Sequence, residues 1–594
     1  MRNALNTKRQ QADGQDSSLQ SSRSKFDPYQ GNPYNADMNR GRDFIRFVLV
    51  VALIATGALR PAAAQECGIA SAHALATQAG CEILHSGGNA FDAAVAVAAT
   101  LAVVEPFSSG IGGGGFLLLH RASDNFEVFV DARETAPSRA TREFFIDENG
   151  QAKQKASLEG PTAAGIPGEP AALDWVAGRY GKLPLARLLA PAIRLAERGF
   201  PADARYASAS TLREAQLKDD AGAARSFLDD GKAVAAGFVV VQPNLARTLR
   251  MLADRGGQSF YHGDFARTLV QTVKSAGGLW ELSDLENYHV IERPPIKFTY
   301  RGARITTAPL PSSGGLVLAQ SLFILESVNM ARLSITDRVH YAVEAMRRGY
   351  QDRARYMGDP AFVDVPVTKL SSRDYAKRRG ASIDPARATP SAELAGLAEE
   401  GTETTHFSII DADGNRVAAT LSVNGPFGSG FVAGNTGVLL NNHMDDFVLV
   451  PGVPNLYKLV GSRANAIEPG KRPLSSMSPT FVEDERGVLV LGTPGGSRII
   501  SMVLQGILDY VDQPQIDLAR LVGAPRFHHQ YLPDRIEIEP GSFPYDWIEA
   551  LKAKGHAVEP GRRKWGNMQA VFFDRKTGRV ESASDPRGQS GVLF

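Results

Sequence analysis

Cysteine is nearly absent. Cys67 and Cys81 are the only two among 594 residues. That excludes a disulfide-dense scaffold, and the lack of any CxxC pair or Cys/His cluster at zinc spacing excludes the common zinc modules. HExxH and Walker A spacings are missing too, which leaves metalloprotease and P-loop chemistry without an anchor. Neither sign of charge dominates. Lys and Arg number 65 against 64 Asp and Glu, a formal charge of +1, so there is no basic field for nucleic acid. His528 and His529 are adjacent, point different ways on any regular element, and are expected to serve hydrogen bonding rather than a shared metal. No metal and no organic cofactor is implied. The 43% hydrophobic content is ample for a large core, and the substrate is expected to be small and recognised by a local site.

Long apolar runs are also scarce. Residues 1–37 are polar, rich in Gln, Ser, Asn and Asp, and read as a disordered leader or a misassigned start. Met38-Asn-Arg-Gly-Arg is a basic segment, Phe47 to Leu59 is mostly apolar, and Pro61-Ala-Ala-Ala-Gln65 has small residues placed for cleavage after Ala64. This is the pattern of a secretory signal peptide over 38–64, with Met38 as the natural start. The apolar run falls short of the roughly 18–20 residues of a spanning helix, and no other segment has that length. An exported protein, periplasmic or secreted, is expected, with no stable membrane span.

Helical periodicity runs from Ala74 to Leu84, from Phe91 to Val104, from Pro184 to Glu197 and from Ser497 to Val511. Strand patterns occupy Phe116 to Leu119, a hairpin of Thr405–Ile410 and Val417–Val423 around Asp411-Ala-Asp-Gly-Asn415, and a second hairpin of Thr480–Val482 and Val488–Leu491. Ile383 to Glu403 is rich in Ala, Pro, Ser, Thr and Glu and reads as a loop or linker.

Two glycine motifs carry different weight. Gly110-x-Gly112-x-x-Gly115 matches the dinucleotide fingerprint, but that fingerprint needs a strand before it and a helix after it. Here the order is inverted, and the glycines are expected to let backbone pass close to backbone. Gly495-Gly496 lies between a strand and a helix, where unpaired backbone N–H groups and the helix dipole favour negative charge. That is the place for an oxyanion hole, although Pro-Gly-Gly is also a common structural turn. Upstream, the polar linker runs straight into Thr404-Thr405-His406. Cleavage before Thr404 would create an N-terminal threonine whose α-amino group, with a pKa of roughly 7.7–8.0, can serve its own hydroxyl as base. An ordinary Thr-Thr strand entry is the plainer alternative.

The segment Thr404-Thr-His-Phe-Ser-Ile-Ile-Asp-Ala-Asp-Gly-Asn415 resembles the small-subunit start of the γ-glutamyltranspeptidase family. So do Leu440-Asn-Asn-His-Met-Asp-Asp-Phe447, Lys471-Arg-Pro-Leu-Ser-Ser-Met-Ser-Pro-Thr480, Gly495-Gly-Ser-Arg-Ile-Ile500, Ala524-Pro-Arg-Phe-His-His-Gln530 and Ser584-Asp-Pro-Arg587. Gly87 to Ala94, Glu105-Pro106, Ser109 to Gly115 and Arg133-Glu-Thr-Ala-Pro137 fit the large subunit. The matches keep their order from about Gly68 to Arg587. The resemblance implies an α+β fold, the four-layer αββα sandwich of N-terminal-nucleophile hydrolases. It also implies autocatalytic cleavage between Glu403 and Thr404 into a large subunit, 65–403, and a small catalytic subunit, 404–594, that stay together.

It further implies a glutathione hydrolase and γ-glutamyltransferase acting through a γ-glutamyl-threonine intermediate. Thr404 is then the nucleophile, Ser422 its hydroxyl partner where the family usually has threonine, and Gly495 and Gly496 the oxyanion donors. Arg133, Ser475 and Ser476 would hold the substrate carboxylate, and Asn424 and Asp446 its ammonium, with Asp445 structural. Tyr457 would belong to a lid loop. His443 stands where relatives usually carry Gln or Glu, and is expected near the ammonium, with binding weakening as pH falls through the imidazole range. Water, amino acids or dipeptides would accept the γ-glutamyl group. A β-lactam side-chain acylase of the same fold is the nearest alternative, disfavoured by Asn424 and Asp446. An uncleaved binding protein is disfavoured by the intact set around Thr404. Cys67 and Cys81 are expected to pair, against the alternative of two buried thiols.

Overall fold

The computed structural model describes residues 67–394 and 404–588. The expected leader at 1–37, the signal segment at 38–64 and Glu403 lie outside the described residues. Two six-stranded sheets form the centre. In spatial order the first holds Ile69–Ser71, Thr405–Ile410, Arg416–Ser422, Gly114–Arg121, Phe126–Ala132 and Ile291–Arg293. The second holds Val580–Ser584, Gln569–Asp574, Gly487–Gly492, Thr480–Glu483, Ala303–Thr307 and Ile296–Tyr300. Every neighbour in both is antiparallel.

Side-chain alternation explains why the sheets stack. Along the first sheet, Leu117, Leu119, Phe407, Ile409, Val417 and Ala419 face one core, and Phe116, Leu118, Ile410 and Ala418 face the other. Successive strand residues point to opposite faces, so each strand serves two apolar layers. Helices Ala74–His85, Ala90–Val104, Glu169–Tyr180 and Leu185–Arg198 close the first core. Helices Gly314–Glu326, Ile335–Tyr356 and Arg498–Asp512 close the second. The order is αββα, as the resemblance implies.

The helix Ala90–Val104 shows how sequence sets these layers. Asn89 Oδ1 accepts from the backbone N–H groups of Phe91 and Asp92, while Asp92 Oδ2 accepts from Asn89 N at 2.9 Å, a reciprocal cap. All of its residues are buried, which its unbroken apolar and alanine-rich composition allows. The hairpin that joins Thr405–Ile410 to Arg416–Ser422 turns on Asp411, whose Oδ1 accepts from Asp413 N and Asn415 N at 3.0 and 2.9 Å.

The glycines after this helix do what the inverted motif suggests. A Cβ on Gly113 would stand 2.2 Å from the Ser422 carbonyl oxygen, and one on Gly115 2.3 Å from that of Thr420. Backbone crosses backbone there, with no room for a side chain. Cys67 and Cys81 form a disulfide, tying the chain ahead of the first strand to the first helix. Closing so short a loop stabilises a fold by about 3 kcal/mol in the chain-entropy account. From Ile383 to Leu394 the chain is largely irregular, with a 3-10 turn at Ser391–Leu394. No described helix is long and apolar enough to cross a membrane.

Candidate active site

The hairpin places the first pair of groups. Thr405 registers with Leu421, and one step further sets Thr404 against Ser422. Their hydroxyls are 3.3 Å apart, and both residues are buried. Ser422 Oγ also accepts from Asn424 N at 2.8 Å. That bond belongs to a tight bend in which Asn424 takes a positive φ of 78°, a conformation asparagine tolerates better than most residues. The Asn424 side chain donates to the Asn442 carbonyl at 2.9 Å.

Around Thr404 lies a cavity of about 20 Å3, lined by Ser422, Asn424, His443, Asp446 and Tyr457, by Ser475 and Ser476, and by Gly496 and Arg353. It has room for about one water molecule. Tyr457 accounts for the tightness. Its ring lies against Gly496, where an added Cβ would come within 2.2 Å of Cδ1, so this face of the ring requires glycine. Its hydroxyl donates to the Asn424 carbonyl at 2.8 Å. Asp445 faces away from the cavity, as expected, and accepts from Leu456 N at 2.7 Å and from Ser157 Oγ at 3.1 Å. It thereby holds the Tyr457 loop. Burial, reinforced by the neighbouring Asp446 charge, pushes its carboxyl up to about 7.

Ser475 and Ser476 sit on the approach to Thr480–Glu483. Ser475 is fixed by its backbone: its N–H donates to the Pro311 carbonyl at 2.9 Å, and its carbonyl accepts from Ser313 N and Oγ. Gly495 and Gly496 both have positive φ, 139° and 55°, and lead into Arg498–Asp512. Gly496 lines the Thr404 cavity, whereas Gly495 lines an adjoining cleft.

Arg133 is the largest departure from the expected arrangement. It is wholly buried and is not among the residues lining the cavity. Its Nη2 pairs with Asp446, its Nη1 lies 3.4 Å from Glu134, and its Nε donates to the Pro473 carbonyl at 3.2 Å. The guanidinium fork expected to meet a substrate carboxylate therefore meets Asp446, expected to meet the ammonium. A partly buried carboxylate offers the nearest charge complement. His443 does reach the cavity wall, but its ring stands between carboxylates, Nδ1 2.9 Å from Glu134 and Nε2 4.0 Å from Asp446.

Arg353 is a cavity residue that sequence reasoning missed. Its Nε donates to Ser313 Oγ at 2.9 Å and its Nη2 to Ser476 Oγ at 3.4 Å. Burial lowers its guanidinium to about 10, so it remains cationic at neutral pH. It lies near the end of Ile335–Tyr356, where Arg347-Arg-Gly-Tyr-Gln-Asp-Arg353 reads as a solvated helix face. Only the buried-face spacing of Val339, Ala342, Met346 and Tyr350 could have marked it. His528 and His529 are structural, as expected. His528 meets Ser501 and Gln530, and His529 meets Asp534 and the Tyr531 backbone.

These groups offer a hydroxyl nucleophile beside a second hydroxyl, a glycine turn, and both signs of buried charge. Comparison with known proteins gives the same direction. The sequence profile of the family described as Gamma-glutamyltranspeptidase matches residues 76–594. The glutathione hydrolase proenzyme of Escherichia coli (strain K12) is 43% identical over 534 residues, 89% of this chain and 91% of that protein. The acylase ACY 1 proenzyme of Pseudomonas sp. (strain V22) is 37% identical, over 87% and 91% of the two chains. The crystal structure of cephalosporin acylase from Bacillus halodurans superposes with a TM-score of 0.79 at 28% identity, covering 96% of this chain and 99% of its own. The chain belongs to the γ-glutamyltranspeptidase family.

Proposed function

We propose that the protein is a glutathione hydrolase and γ-glutamyltransferase that first cuts itself before Thr404. The hydroxyl of Thr404 adds to the Glu403 carbonyl, the peptide C–N bond breaks as the acyl group passes from nitrogen to oxygen, and water hydrolyses the ester. The products are a large subunit, 65–403, and a small subunit, 404–594, which remain associated because their strands interleave in the sheets. The new α-amino group then takes the Thr404 hydroxyl proton as the oxygen attacks a γ-glutamyl amide carbonyl. The Gly495 and Gly496 N–H groups hold the oxyanion. The proton passes to the departing amine, leaving a γ-glutamyl ester on Thr404, and water or an amino acid or dipeptide amine takes the acyl group.

The observation that carries this reading is the Thr404–Ser422 hydroxyl pair inside a cavity that also holds Asn424, Asp446, Ser475, Ser476 and Gly496. Asp446 and Asn424 supply acceptors for an α-ammonium, which an acylase for simple diacid side chains does not need. Ser475, Ser476 and the cavity cation Arg353 suit an α-carboxylate, with Arg133 standing behind Asp446. The signal pattern at 38–64 and the Cys67–Cys81 disulfide support export to an oxidising compartment, periplasmic or extracellular. Incubating the processed protein with glutathione and, separately, with a cephalosporin side-chain amide tests the reading. Glutamate and cysteinylglycine are the expected products. Cleavage of the cephalosporin amide alone would replace this reading with the acylase one.

A further inference from the structure

Glu105 is wholly buried at the end of the helix Ala90–Val104, on the large-subunit side of the proposed cut. A buried carboxylate is costly unless its oxygens find partners. Here the two oxygens serve different elements. Oε1 accepts from Arg205 Nη1 at 2.6 Å, and Oε2 accepts from Thr405 Oγ1 at 3.0 Å. Arg205 lies at the start of the helix Ala204–Asp219, and its guanidinium also stands over the Phe107 ring, 5.4 Å from the centre.

Thr405 is buried too, and it opens its strand by registering with Leu421. Thr404 lies one residue before that strand. The turn that follows Glu105 reaches the other half of the site. The Glu105 carbonyl accepts from Ser108 N and Ser109 N at 2.8 and 3.1 Å, and the Ser108 carbonyl accepts from Val423 N at 3.3 Å. One turn of the large subunit is thus bonded to the residue after Thr404 and to the residue after Ser422.

We propose that Glu105 and Thr405 are positioning residues for the nucleophile, and that their bond keeps the new N-terminus at Thr404 opposite Ser422 once the chain is cut. The inference rests on the reading of Thr404 as the nucleophile. Before cleavage Thr404 is an interior residue of one chain. Afterwards it is a chain end, and chain ends fray. Its hydroxyl and its α-amino group must nevertheless hold a fixed geometry toward the substrate carbonyl, where a displacement of about 1 Å can cost roughly 100-fold in rate. The Ser422 hydroxyl, 3.3 Å from that of Thr404, is a weak tether at that distance. The Thr405 bond ends on a carboxylate and is the stronger hold.

The test measures kcat and KM for a γ-glutamyl anilide on the processed protein. Thr405→Val keeps the shape and loses the hydroxyl. It is expected to cleave itself into two bands, to lower kcat about tenfold, the scale of one hydrogen bond to a charged group, and to leave KM within about twofold. Thr405→Ser keeps the hydroxyl and should restore most of the kcat. Thr405→Val also leaves a buried carboxylate oxygen without that donor, so Glu105→Met/Thr405→Val removes both partners. Its melting temperature should return toward that of the parent, while its kcat stays low. A bond that serves stability alone predicts that kcat recovers with the melting temperature, and that result overturns the proposal. A parent-like kcat in Thr405→Val overturns it as well. No anilide turnover by the parent protein would overturn the reading of Thr404 beneath it.

Discussion

His443 Nδ1 lies 2.9 Å from Glu134 Oε1, with neither atom aligned for a hydrogen bond. The contact is therefore electrostatic, an ion pair whenever the imidazole carries its proton. Through Glu134 it reaches Arg133, and across 4.0 Å it reaches Asp446, so one ring touches both carboxylates that hold the Arg133 guanidinium.

On the proposed reading of Asp446 as an acceptor for the substrate ammonium, that arrangement casts His443 as a positioning residue for Asp446 more than a ligand of its own. His443→Gln should change KM for a γ-glutamyl anilide by up to about fivefold, the scale of one charge contact, while kcat stays within about twofold. A matching fall in kcat with unchanged KM would place the ring in the chemical step instead. Comparing KM profiles from about pH 5 to 8 in both proteins tests whether the imidazole faces the ammonium, since parallel profiles would show that it does not.

Arg133 is tied to Asp446, Glu134 and the Pro473 carbonyl. Removing one partner of a buried ion pair costs about 3–5 kcal/mol because the other charge is left unpaired. Arg133→Ala is therefore expected to lower the melting temperature as well as raise KM. Arg133→Lys keeps the charge and loses the fork. It should preserve the two-subunit pattern and raise KM by roughly 10-fold or more. Equal KM in Arg133→Lys and the parent would remove Arg133 from substrate binding.

The Tyr457 ring lies in the Thr404 cavity against Gly496, and on the proposed lid reading movement of its loop admits the substrate. Tyr457→Phe loses the bond to the Asn424 carbonyl, worth about 1 kcal/mol, and should speed both substrate entry and product release. Tyr457→Ala also uncovers Gly496 and should raise KM and the share of acyl-enzyme lost to water. Stopped-flow acylation and the ratio of hydrolysis to transfer read these effects. Identical entry rates in all three proteins would show that the ring does not gate the cavity.

Glu169 is fully buried, and burial, followed by the Glu134 charge, pushes its carboxyl up to about 8. The unfolded chain releases that proton near pH 4, as a free glutamic acid does. The folded state therefore loses stability on this account as pH rises from about 4 to about 8, and the effect levels off above that. Glu169→Gln should leave the melting temperature little changed at about pH 5 and raise it relative to the parent at about pH 9. A difference between the two proteins that is equal at both pH values would contradict the shift.

Much of this was legible in the sequence because the informative features are local. The Thr404 strand entry, the Asp411 turn and the Gly495-Gly496 step between strand and helix depend on neighbours a few residues away. The pairing of Arg133 with Asp446, 313 residues apart, was not legible. Sequence order assigns each a substrate group, and only packing shows them satisfying each other. Arg353 was hidden for the opposite reason. A cation amid other charges on a long helix looks solvated, and its burial is a tertiary fact.

The proposed self-cleavage and acyl transfer both run through one atom, Thr404 Oγ1. The direct measurement is a denaturing gel and an anilide assay on Thr404→Ala and Thr404→Ser, beside the parent. Thr404→Ala should give a single precursor band and no activity, because both the self-cleavage and the acyl transfer need the hydroxyl. Thr404→Ser should give two bands and retain part of the activity. Two subunits of the expected sizes from Thr404→Ala would contradict the account.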